Sequence, residues 1–497
     1  MQELDNFKKN LRQFSTYHLL EKFSSFSMDI FNNEKNATKF IKIKYLDRNN
    51  LYKICNFNIS QWDLIEICYY SIIYGNDYRN KIIEEKDIIK LVNLYREFEQ
   101  AKENAENFKG DNLYQHLICI ANMQFDFQSM PIKNKFNRLY HIMTVINKNP
   151  QYDQSSKVSY INFSDDFKII TGLDLKKYTK CLLIIVLLSI KRKNTNILEL
   201  IGDLKFDIEK EFGISINELI LVIENQTKKY EYYKNFDNWN ILKSFPIVRS
   251  ERFKEKYIIS NLSSLVINIY SNIYWNIRNY YFELGSRKFT TYFGYCFEYY
   301  LQEVFTYYKI SATKIEEVQK EKRPDWLFES DNYCFLIEQK AALFPIDTKT
   351  NTSEKRFEKL DNFLNSVILK GVKQLDKYCP NTNKIVIRIC LLLDDIYVEE
   401  LIEELVFKNL ELKNSKELIW VTSIEIFEKM LQLLSTNKNE FEHLIEKKIN
   451  LEKRKSPEGR SLEKLFSNIE NEYIKTEINY FNKIINDIKE KVEDNNE

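Results

Sequence analysis

The chain has 497 residues, and 73 basic against 72 acidic side chains leave a net charge of +1, so any nucleic-acid surface must be local rather than a global basic field. The length allows about three domains and a sizeable core. Nine glycines and seven prolines favour long helices with few tight turns. Eight cysteines without a Cys-x-x-Cys pair, and four scattered histidines (His18, His116, His141, His443), argue against zinc fingers, HNH-type nucleases, His-Glu-x-x-His proteases and a disulfide framework. Reduced thiols and a cytoplasmic location are expected. The N-terminus shows no signal-peptide pattern, and the most apolar run, residues 181–190, is shorter than the ~20 residues a membrane helix needs. No Gly-x-x-x-x-Gly-Lys-Ser/Thr loop is present, so no ATPase is read here.

Residues 1–245 read as an all-α N-terminal region, with a break near 147–157 that would separate two subdomains. Leu64, Ile65, Ile67, Cys68, Ile72 and Ile73, then Ile82, Ile83, Ile88, Ile89 and Leu91, recur at helical spacing, interrupted at Asn76-Asp77. A helix over 113–123 carries His116, which has no ligand partner at metal spacing and is assigned to core or capping. Residues 178–191 read as a buried helix. Ser215 precedes Glu218 by three, a capping-box pattern that predicts a helix from Ile216 to about Glu224. Residues 228–234, basic and aromatic, suit either a phosphate contact or a solvated amphipathic helix, and the latter is favoured. Residues 245–250 look like a linker. From 259 to 281, Leu262, Leu265, Val266, Ile269, Ile273 and Ile277 predict one long helix.

The segment from Arg323 to Lys340 differs in kind. Two apolar runs flank Ser330-Asp331-Asn332, which is a hairpin signal. Asp325 opens the first run, and Glu338 and Lys340 interrupt the second. Charges in so apolar a strand are costly unless paired or bound to a metal. Alternation along a strand puts Glu338 and Lys340 on one face and Gln339 on the other, with Asp325 within reach across the hairpin. Two carboxylates and a lysine form a hard-oxygen site suited to Mg²⁺, with a cation beside it.

Pro324-Asp325, a hairpin and then Glu338-Gln339-Lys340 resemble the PD-(D/E)XK, or restriction-endonuclease-like, nuclease superfamily. Upstream, Gly294-Tyr295-Cys296-Phe297-Glu298 is similar to its first core helix, whose glutamate often joins the metal site. Downstream, Gln374 and Tyr378 match the Gln-x-x-x-Tyr element of RecB-like and Cas4-like members. A bare Glu-x-Lys is weak, recurring at Glu84, Glu411 and Glu446 in helical-looking contexts; the ordered set of four elements is stronger. The resemblance implies an αβββαβ core over residues 250–435. It implies Asp325, Glu338 and Glu298 as ligands of Mg²⁺, or of Mn²⁺ in its place. Lys340 would act on the attacking water, and Gln374 and Tyr378 would orient the lysine or the DNA. The implied activity is endonucleolytic hydrolysis of DNA, with RNA left open. A non-catalytic nucleic-acid- or partner-binding protein on the same fold is the alternative. A helical module fused to such a nuclease, in a composition typical of AT-rich bacteria, is similar to restriction or anti-phage effectors.

Residues 350–356 read as a polar loop, open between a DNA-facing lid and a plain connection. Lys370, Lys373 and Lys377 follow on a helix where they could meet phosphates. Residues 384–393 and 417–422 are further strands, completing an α/β three-layer core. Residues 436–497 read as a helical tail. Its stripe of Leu462, Leu465, Ile469, Tyr473, Thr476, Tyr480, Ile484 and Ile488 is expected to fold back on the chain rather than form a homo-oligomer contact. The N-terminal region is the expected place for a protein partner.

Overall fold

The computed structural model describes the chain except residues 1, 33–37, 47–51, 107–109, 129–131, 149–159, 193–195, 203–207, 236–239, 251–255, 317–322, 346–347, 350–354, 409, 415, 455–460 and 495–497. Most of the candidate loops at 147–156 and 350–356 lie outside the described residues.

The chain is mostly helical with small mixed sheets. The expectation of an all-α first half is corrected by two of them. Strands β1 (Thr38–Leu46) and β2 (Tyr52–Ser60) form an antiparallel hairpin. Strands β3 (Thr227–Lys229), β4 (Ile247–Arg249) and β5 (Tyr257–Ile259) form a second sheet with β4 in the middle. The linker expected over 245–250 is therefore a buried central strand, with Ile247 and Val248 fully enclosed. Residues 228–234 are divided between β3 and the short helix Tyr230–Lys234.

Several helices form where their sequence signals place them. Ser215 accepts from the Glu218 amide at 3.2 Å and Glu218 reaches back to the Ser215 amide at 2.8 Å, closing the capping box of helix Ile216–Asn225. Helix Leu262–Glu283 starts later than expected, because 257–259 is β5; the Asn261 side chain caps it through the Ser264 amide at 2.9 Å. Ile82 and Ile83, expected in a helix, lie in the loop before helix Glu85–Glu106.

The third sheet has five strands in the order β10-β9-β8-β7-β6: β6 (Thr313–Lys314), β7 (Trp326–Glu329), β8 (Tyr333–Lys340), β9 (Ile385–Leu392) and β10 (Ile419–Ser423). Pairing is antiparallel from β6 to β8 and parallel from β8 to β10. Parallel neighbours need a crossover, and helical turns from Lys355 to Lys377 provide the one between β8 and β9. Alternate residues on the strands enter different cores. Phe335, Ile337, Ile387 and Ile389 pack toward helices Lys288–Tyr307 and Ile424–Thr436. Leu336, Cys390 and Leu392 pack toward helices Lys355–Phe363 and Glu399–Phe407. This part is thus an α/β three-layer arrangement.

The tail returns to the body of the chain. Phe481 and Ile488 on helix Tyr480–Asp494 are buried in the same core as helix Ile132–Thr144. The Phe481 amide donates to Asn137 Oδ1 at 2.8 Å. Nearby, His141 is held between Glu303 (2.7 Å) and the Tyr480 hydroxyl (2.9 Å).

Candidate active site

Trp326 pairs with Ile337, so the antiparallel register sets Asp325 opposite Glu338. Two bonds fix the position: the Asp325 amide donates to the Ile337 carbonyl at 2.8 Å, and Asp325 Oδ2 accepts from the Gln339 amide at 2.7 Å. Gln339 itself faces the other way, where its Oε1 accepts from the Trp326 indole at 3.2 Å. Glu338 and Lys340 share the opposite face and are ion-paired through Glu338 Oε1. Glu338 is 3% exposed, and its Oε2 is buried without a hydrogen-bond partner. A buried acceptor left unsatisfied costs free energy and calls for an explanation.

The electrostatics follow from this geometry. Burial, then the neighbouring Glu338 carboxylate, push the Asp325 carboxyl above its ordinary range. Burial also raises Glu338, while Lys340, Lys370 and the side-chain amide of Gln374 work in the opposite direction. Gln374 therefore sits beside Glu338. Tyr378 does not continue the same helix face. The helix ends at Lys377, Tyr378 adopts an extended conformation, and the Arg323 guanidinium lies 5.9 Å from its ring centre. Glu298 is close enough to raise Asp325, but its carboxylate is paired with Lys314 of β6. Among the described residues, no group of three or more His, Cys, Asp and Glu gathers closely enough to hold a metal ion; two carboxylates face each other, and Lys314 engages the third.

Three neighbours escaped the sequence reading. Gly371 lies where helix Lys370–Lys377 crosses β8: a Cβ there would meet Cys390 Sγ at 2.9 Å, Lys340 Cε at 3.1 Å and Glu338 Cγ at 3.4 Å. An isolated glycine inside a helical pattern is the signal that could have revealed this close approach. Cys390 forms the floor under that contact, and burial pushes its thiol up to about 12, so it is neutral there. Lys314 gave no signal, because its two-residue strand has no pattern to read.

Comparison with known proteins yields no matching family model, no matching curated protein and no matching solved structure. Among the described residues no helix is long and apolar enough to cross a membrane.

Proposed function

We propose that this chain is a metal-dependent nuclease that hydrolyses phosphodiester bonds in DNA. The observation that carries the reading is the meeting of Asp325, Glu338 and Lys340 on one sheet face, with a buried Glu338 oxygen that has no partner. The donor set fits a hard divalent ion. Two carboxylates driven toward their neutral forms by burial regain their charge beside a cation. Asp325 and Glu338 would hold Mg²⁺, or Mn²⁺ in its place, and Glu298 would join on release from Lys314. Such an ion supplies Lewis acidity to the scissile phosphate and a lowered pKa to a bound water.

The protein's own groups do the rest. Lys340, on leaving Glu338, presents its ammonium to the attacking water and to the charge that develops on the phosphate. Gln374, beside the Glu338 carboxylate, would orient Lys340 or the DNA. Gly371 permits the helix to press against both side chains. Arg323, stacked near Tyr378, and exposed Lys370, Lys373 and Lys377 offer cations to the DNA backbone. The biological setting we propose, restriction or defence against phage, rests on the pairing of such a site with a large helical region and is an analogy.

Supercoiled plasmid incubated with the full chain and Mg²⁺ should be nicked or linearised, and EDTA should stop the reaction. Lys340→Ala should slow cleavage by roughly 10²-fold or more while leaving the circular-dichroism spectrum unchanged. Cleavage by that variant at the wild-type rate refutes the assignment. An RNA substrate run in parallel decides between the two nucleic acids.

A further inference from the structure

We propose that an open cleft in the first hundred residues is a second nucleic-acid contact, suited to an unpaired stretch of single-stranded DNA or RNA. It lies between helix Gln2–Leu11 and the loop 75–84 and is lined by Lys8, Lys9, Arg12, Arg79 and Lys81 with one carboxylate, Asp5. Five cations and one acid line it, with Asp87 pairing Lys81 from outside the lining, an excess of cations in a chain whose net charge is +1.

The loop is built to hold its shape. Arg12 Nε donates to the Tyr74 carbonyl at 2.9 Å, and Asn76 Nδ2 donates to the Arg12 carbonyl at 3.2 Å. Asp77 Oδ1 accepts from the Ser15 hydroxyl at 2.9 Å and the Tyr17 amide at 2.8 Å. At the far end Ile83 is buried and Lys81 pairs with Asp87 at 3.2 Å. Between these anchors Tyr78 is 76% exposed and Ile82 is 80% exposed. The Arg79 guanidinium lies 5.7 Å from the Tyr78 ring centre. An exposed aromatic ring on an anchored loop, beside clustered cations, matches the needs of a single strand: a base stacks on the ring while phosphates meet Lys and Arg. A base inside a duplex offers no such face, so the ring selects unpaired nucleotides.

The inference deepens the nuclease reading by naming where a substrate strand is held outside the candidate active site, and it does not require cleavage. Fluorescence anisotropy in EDTA tests it, using the full chain and a fluorescein-labelled mixed-sequence DNA oligonucleotide as single strand and as duplex, with an RNA counterpart. The single strand should bind more tightly than the duplex and weaken with salt. Tyr78→Ala should weaken single-strand binding by roughly tenfold and leave duplex binding unchanged. Lys9→Glu with Arg79→Glu should weaken binding by roughly tenfold or more and flatten the salt slope by about 0.7 for each phosphate no longer neutralised. Variants that bind as the wild type does, or a wild type that prefers phosphatidylserine vesicles or polyglutamate, would overturn the proposal. Tight binding without cleavage by the wild type defeats the nuclease reading and spares the cleft. Cleavage with cleft variants that still bind normally does the reverse.

Discussion

Two buried ionic clusters in this chain are put together in opposite ways. In the first, Arg138 lies against Glu425 and Glu428, and the carboxylate oxygens of Glu428 are both engaged. Glu428 Oε1 accepts from Arg138 Nε at 2.9 Å and from the Tyr300 hydroxyl at 2.5 Å; Oε2 accepts from Arg138 Nη2 at 2.7 Å and from Asn471. In the second, Glu338 has one oxygen on Lys340 and the other without a hydrogen bond, with Gln374 beside the carboxylate and a second carboxylate across the hairpin. The first cluster joins helix Ile132–Thr144 to helix Ile424–Thr436 and to the tail, with each Glu428 oxygen taking two donors. The second holds charge and an acceptor in reserve. A buried network that is complete fastens; one that is incomplete is ready for something else.

The sharpest way to break the contrast is Arg138→Leu. It would strand two buried carboxylates and should destabilise the chain by about 3–5 kcal/mol, read from the denaturant midpoint. A loss below about 1 kcal/mol would mean that the cluster is not a fastener. The opposite sign is expected at the candidate active site, where Asp325→Asn removes a charge the fold disfavours. The folded Asp325 carboxyl titrates above its unfolded value, so the wild type loses stability as pH rises from the unfolded value through the folded one. Each unit of that rise costs about 1.4 kcal/mol. In EDTA the variant should therefore match the wild type at acid pH and melt higher at neutral pH; a lower melting temperature at neutral pH would contradict the sign. The smallest effect belongs to Gly371→Ala. Its added methyl must displace Cys390 or Lys340, at about 1–3 kcal/mol. Plasmid cleavage should fall further than the melting curve implies, because Lys340 is one of the two side chains that must give way.

The facing pair was legible because a strand has a period of two. That period alone puts Glu338 with Lys340, and the Ser-Asp-Asn turn brings Asp325 across. The partner sets of Glu298 and Tyr378 were not legible. Glu298's partner Lys314 comes from a strand of two residues, and the helix stops one residue before Tyr378, so i, i+4 spacing no longer describes the pair. In the first half, Ile41, Ile43 and Tyr45 alternate with Lys42 and Lys44, a strand pattern overlooked among helical neighbours. Strand β4 was missed for another reason. Three residues beside a proline carry no period, and their place in a sheet is decided by β3 and β5, which pair with them from either side in the chain.

The helical turns between β8 and β9 touch the first half of the chain near their start and the candidate site near their end. Arg356, near their start, contacts His116 Nδ1 at 2.8 Å, and Gln115 donates to Asp361 at 2.6 Å. Gly371 and Gln374, near their end, press on Glu338. Between them, residues Leu364–Leu369 wind as a wider π turn, an irregularity frequent at functional sites. One run of backbone thus touches the first half of the chain at Arg356 and Asp361 and the carboxylate pair at Gly371 and Gln374, so a substitution at either end bears on an element the two regions share.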